Sequence, residues 1–163
     1  MRNKKLFLAR IAGVGLALML VAVVCGCGGG GGGGGGGDTT PPTLSGQSVT
    51  PSSLTPVGGT VTIQVTATDD VGVQSVTAVI TGYNPATQTT GSTTVSLTHG
   101  SGNTWSAQHT VAPIITVPPG VADANGETTY TVVITAKDTS GNSSAAANTS
   151  FKVTGLPPGN PNP

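Results

Sequence analysis

The chain has 163 residues, only 7% of them charged, and its formal net charge is zero. That zero hides a split: Arg2, Lys4, Lys5 and Arg10 crowd the first ten positions, whereas after Cys27 only Lys137 and Lys152 face six acids, a net of −4. Two lysines and no arginine cannot neutralise a run of phosphates, which excludes nucleic acid as a partner, and the patterned apolar positions below exclude disorder driven by charge.

Residues 1–26 read as an export signal. Met1–Arg10 is basic, Ile11–Val24 is apolar, and small residues follow. The apolar run is shorter than the ~20 residues of a membrane-spanning helix. Val24-Cys25-Gly26-Cys27 resembles the lipobox of bacterial lipoprotein signals, in which an aliphatic, a variable and a small residue precede the lipidated cysteine. The resemblance implies cleavage after Gly26, lipid attachment at Cys27 and loss of Cys25 with the signal. The other register, ending at Cys25, would put branched Val24 where the peptidase prefers a small residue. A Cys-x-Cys metal or redox site needs further ligands nearby, and the next histidine is His99.

Residues 27–42 then form a tether. Ten glycines, Gly28 to Gly37, resist ordering because glycine loses the most backbone entropy on folding. Such a run has an end-to-end distance of roughly 17 Å. It contains GxGxxG trivially, with no strand before it and no helix after it, so it is no dinucleotide fingerprint. Pro41 and Pro42 stiffen the approach to the first strand.

Residues 43–155 are expected to be all-β. Six alternating runs lie between turn residues, 60–70, 73–83, 93–99, 103–111, 129–138 and 148–155, and a less regular run at 43–51 makes seven strands. Their inward sets begin with Val61, Ile63, Val65 and Ala67, then Val76, Ala78 and Ile80, then Val95 and Leu97. Trp105, Ala107, His109 and Val111 come next, followed by Tyr130, Val132, Ile134 and Ala136, and last Phe151 and Val153. "DDVGV", "HGSGN" and "DTSGN" supply the turns, since Asp, Asn and Gly suit such geometry. No window after the signal has the period of a long helix, and "SAAAN" (144–148) leads into the last strand. Strands with one polar face argue for two antiparallel sheets packed face to face. "LPPGNPNP" (156–163) reads as a disordered tail.

"TVTIQVTATDDVGVQSV", "GNTWSAQHTV" and "TYTVVITAKDTSGN" resemble bacterial Ig-like domains and the related fibronectin type III domains. The A-x-D-x-x-G-N turn of those families matches Ala136 to Asn142, and Tyr130 stands where they place a corner tyrosine. The resemblance implies a single seven-stranded Ig-like antiparallel sandwich. The connection 112–127 departs from it, with room for an extra strand or a projecting loop.

No motif for catalysis stands out. There is no G-x-S-x-G elbow, HExxH or paired-carboxylate signature, so the domain is read as non-catalytic, with a small hydrolase as a minor alternative. His99 and His109 flank one hairpin, but two ligands do not make a zinc site. One acidic constellation qualifies for Ca²⁺: Asp69, Asp70 and Asp138, with Asn142 beside them, in two loops that share one pole of an Ig-like sandwich. The competing reading makes them turn formers. Trp105 and Tyr83 would stack on a sugar if exposed and anchor the core if buried. The expectation is a lipid-anchored protein of the cell envelope, in the outer membrane or at the cell surface, whose domain serves adhesion, matrix contact or support of an envelope complex. A protein or a glycan is the ligand class, and a carbohydrate-binding module is the alternative.

Overall fold

The described residues of the computed structural model are 37–115, 120–123 and 125–155. The signal, Cys27, nearly all of the glycine run and the 156–163 tail lie outside them. Eight strands follow in chain order: β1 (Thr43–Thr50), β2 (Ser53–Leu54), β3 (Gly59–Thr68), β4 (Val73–Asn84), β5 (Thr89–His99), β6 (Thr104–Val111), β7 (Glu127–Asp138) and β8 (Ala147–Thr154). The described residues contain no helix. The chain is therefore all-β, as its alternating threonines and branched residues predict.

Seven separate strands in two antiparallel sheets do not describe the pairing. The strands run in one order, β1-β3-β6-β5-β4-β7-β8-β2, nearly closed like a barrel. Two local features join what would otherwise be separate sheets. β5 pairs with β4 from Thr89 to Leu97, and its last two residues, Thr98 and His99, cross to Ser106 and Trp105 of β6. β2 pairs in parallel with Lys152 and Val153 of β8, whereas β1, just before it in the chain, pairs with β3. Thus the two ends of the strand order are adjacent in sequence, separated only by Pro51 and Ser52. The two-residue β2 is too short to carry an alternating pattern, so nothing in the sequence marks it as a strand.

The inward faces are close to those expected from alternation. Val61, Ile63, Val65, Ala67, Val76, Ala78, Ile80, Leu97, Trp105 and Val111 are buried, as are Tyr130, Val132, Ile134, Ala136, Phe151 and Val153. Val95 and Ala107 pack partly buried against this cluster. Alternation alone could not supply Val49, Leu54, Tyr83 and Ile114, which are buried too. Ile114 belongs to the 112–127 connection. Its amide donates to the Pro56 carbonyl at 2.8 Å, which pins that part of the connection against the β2–β3 turn. In that turn Gly58 has φ +76°, and a Cβ there would collide with the Val111 carbonyl, so only glycine fits.

Tyr130 holds the central β4–β7 pair. Its hydroxyl donates to the Tyr83 carbonyl, and its ring stacks on Phe151 with centroids 4.9 Å apart and planes 10° from parallel. Gly82 lies under that ring, with no room for a Cβ. Gly82→Ala forces overpacking, which typically costs about 1–3 kcal/mol, and a urea titration should show the loss. Burial, then the nearby Tyr83 charge, pushes the Tyr130 hydroxyl from 10.0 up to about 12. Because its folded value exceeds the unfolded one, its contribution is complete below pH ~10 and is lost as the pH rises through the folded value. Thermal melts between pH 9 and pH 12 should show this fall in stability, and Tyr130→Phe should flatten it.

Candidate functional site

The strand directions give the domain two poles. At one pole lie the β3–β4 turn, the β7–β8 connection and the start of β1, because Thr43 pairs with Thr68 and Val73 with Asp138. At the other lie the β2–β3 turn, the β4–β5 turn and the β6–β7 connection.

The first pole is acidic. Asp38, Asp69 and Asp138 each place a carboxylate oxygen within 4.8 Å of the others. Each also spends Oδ1 on its own loop. Asp38 Oδ1 accepts from the Thr40 amide, Asp69 Oδ1 from the Val71 and Gly72 amides, and Asp138 Oδ1 from the Ser140 and Asn142 amides. These are the local bonds that make aspartate a turn former. The second oxygens differ. Asp138 Oδ2 accepts from Asn142 Nδ2 at 2.6 Å. Asp38 Oδ2 and Asp69 Oδ2 are buried and have no hydrogen-bond partner in the protein.

Of the four residues singled out for Ca²⁺, the structure brings Asp69 and Asp138 together. Asn142 is adjacent, and its Nδ2 donates both to Asp138 and to the Asp38 carbonyl at 3.0 Å. Asp70 is exposed, with Oδ2 3.5 Å from Thr40 Oγ1. Asp38, which the sequence reading assigned to the tether, completes the trio. The usable signal was its position: it precedes the first strand, and the first strand begins at the pole that carries Asp69 and Asp138.

Among the described residues no basic side chain is ion-paired with this cluster, and the one ion pair is Lys152–Glu127, 2.6 Å, at the other pole. Lys137 is exposed and precedes Asp138 on the strand, so the two project to opposite faces.

The ring candidates are both buried: Trp105 is 8% exposed and Tyr83 is 3% exposed. Trp105 stands opposite Val65 in β3 and meets the His99 ring at 4.9 Å, tilted by 53°. It lines a cleft of about 350 Å³ with Asp69, Gly72, His99 and Asn103. His99 Nε2 lies 2.8 Å from the Gly102 carbonyl. His109 is four residues further along β6 than Trp105, opposite Val61, and burial lowers its pKa. The two histidines are therefore not brought together. A second cleft, about 210 Å³, opens between the start of β5 and the end of β6 and includes Asn84, Thr93, His109 and Tyr130.

Comparison of the chain with protein-family models, with curated proteins and with solved structures returns no match.

Asp138 is 0% exposed. Burial pushes its pKa up, but hydrogen bonds from the Asn142 side chain and amide and from the Ser140 and Gly141 amides outweigh this, and the net shift is downward. A lowered folded value means stability that is present above the unfolded-state value of ~3.9 and lost as the pH falls through the folded value. The melting temperature should therefore drop on acidification below about pH 4. Asp138→Asn should lower stability at neutral pH, because an amide group would then face these donors, and should flatten the acid limb of the same melting curve.

Proposed function

We propose that the chain is a cell-envelope lipoprotein, held by lipid on Cys27, that displays a non-catalytic β-domain of the Ig-like kind for contact with another envelope or surface protein. The observation that carries this reading is where the chain enters the domain. Asp38 belongs to the acidic pole, so the opposite pole is the end of the domain farthest from where the glycine run joins it. That opposite pole carries Val57, 77% exposed, and Ile115, 85% exposed. The two are close, because each follows one member of the Pro56–Ile114 hydrogen-bonded pair. Val71 at the acidic pole is exposed as well, but among the described residues only here do two such side chains follow hydrogen-bonded neighbours, and a pair of exposed apolar side chains on a rigid scaffold suits recognition of a protein better than catalysis.

The Ig-like kinship is supported by the Asp138–Asn142 turn, which occupies the A-x-D-x-x-G-N motif. Tyr130 does not make the corner bond of those families, which goes to backbone a few residues upstream, because its hydroxyl bonds the Tyr83 carbonyl 47 positions earlier. The lipid anchor is supported by the order of basic, apolar and lipobox residues before Cys27.

The test compares wild type with Cys27→Ser in intact cells. Wild type should partition with membranes, yield an acylated N-terminal peptide by mass spectrometry and be clipped by external protease. Cys27→Ser should leave the membrane fraction. A variant that stays membrane-bound without acylation overturns the anchor. Wild type that is bound but protected from protease redirects the contact to a partner inside the envelope.

A further inference from the structure

We infer that Asp38, Asp69 and Asp138 form a divalent-cation site of the calcium class that clasps the start of the domain to its two acidic loops. Three carboxylates converge to within 4.8 Å from three separate pieces of chain: the approach to β1, the β3–β4 turn and the end of β7. Convergence alone would say little, since acidic turns are common. The further observation is that two of the converging groups are unfinished. Asp38 Oδ2 and Asp69 Oδ2 are both buried, though their side chains are only partly so, and meet no donor in the protein. A buried carboxylate oxygen without a donor has lost its hydration and received nothing in return. Two such oxygens beside the buried Asp138 carboxylate add mutual repulsion, and among the described residues none of the three carboxylates forms an ion pair that would relieve it. A cation between them would supply the missing partner for both oxygens and cancel the repulsion.

The donor set indicates which cation. The groups are carboxylate oxygens, which suit hard ions rather than zinc or copper. Two oxygens on opposite sides of one Ca²⁺ lie up to ~4.6–5.2 Å apart, given its bond lengths, whereas on Mg²⁺ they lie no more than ~4.2 Å apart. A spread of up to 4.8 Å is within the reach of Ca²⁺, and a set of three carboxylates suits Ca²⁺ better than Mg²⁺, which usually takes one or two and keeps its waters. Three carboxylates leave several of the six to eight positions of Ca²⁺ for water and backbone carbonyls. Asn142 serves the site as a positioning residue, since its Nδ2 bonds both the Asp38 carbonyl and Asp138 Oδ2.

The consequence is mechanical. Asp38 directly follows the glycine run, so a bound ion would fasten the first residue after the glycines to the β3–β4 and β7–β8 loops. This clasp does not depend on lipid at Cys27, so the two readings fail separately.

The experiment uses the purified full chain, freed of metal with a chelator, and titrates it with CaCl₂ or MgCl₂ by calorimetry and thermal melting. Ca²⁺ should bind at one site with Kd below about 1 mM, the weak end for extracellular calcium modules, and should raise the melting temperature saturably, more than Mg²⁺ does. Asp38→Asn, which lies outside every strand, should fold but bind Ca²⁺ roughly 10-fold more weakly or not at all, because the site loses one of its charges. Asp70→Asn should bind as wild type does. No heat and no melting shift at about 10 mM Ca²⁺, above the range of known modules, would overturn the proposal. Unchanged affinity in Asp38→Asn, or equal loss in Asp70→Asn, would overturn the assignment of the trio. An equal response to Mg²⁺ would overturn the calcium class.

Discussion

The buried carboxylate of Asp138 is what the acidic pole is built around. It sits at the end of β7 with no exposure to solvent, so its oxygens take their partners from the chain. They take them from the loop that follows, from Ser140 and Asn142, and this folds 139–142 into a compact turn. The turn then reaches outward. The Thr139 amide donates to the Gly72 carbonyl at 3.3 Å, which ties it to the β3–β4 loop. Asn142 donates to the Asp38 carbonyl and so ties in the start of the domain. One desolvated charge thus sets the shape of three chain segments.

The opposite pole depends on an apolar counterpart. No cysteine follows Cys27, so the domain is held without a disulfide, by packing and strand pairing. Tyr130 joins both: its ring lies between Gly82 and Phe151, and its hydroxyl finishes the Tyr83 carbonyl where β4 runs out towards the β4–β5 turn. A buried tyrosine needs such a partner for its polar end. With Tyr130 and Asp138 in the same strand, β7 anchors the domain at both ends, and its contacts with β4 and β8 run along nearly its whole length.

Much of this was legible beforehand. The period-2 runs named six of the strands and most of the inward residues, because a strand with one buried face must alternate. The Asp-Thr-Ser-Gly-Asn stretch announced its turn through residues that bond their own backbone. Three features were not legible. β2 is two residues long and carries no pattern. The crossing of β5 to β6 at Thr98 and His99 is a matter of where a long strand diverges from its partner, which composition does not record. Ile114 is buried because Pro56 captures its amide, and the two are 58 positions apart.

By itself, the sequence determined that the chain is all-β, that its thiols lie only at the front, that its charge after Cys27 is sparse and acidic, and which face of each principal strand is apolar. These are properties of short windows, and local stereochemistry reads them directly. Only the tertiary structure decided that the strands join into one nearly closed order, that Trp105 and Tyr83 face inward, and that Asp38 rather than Asp70 meets Asp69 and Asp138. Each of those depends on which distant segments share a neighbourhood. That is settled by strand register and by the burial of Asp138, neither of which any single stretch of the chain contains.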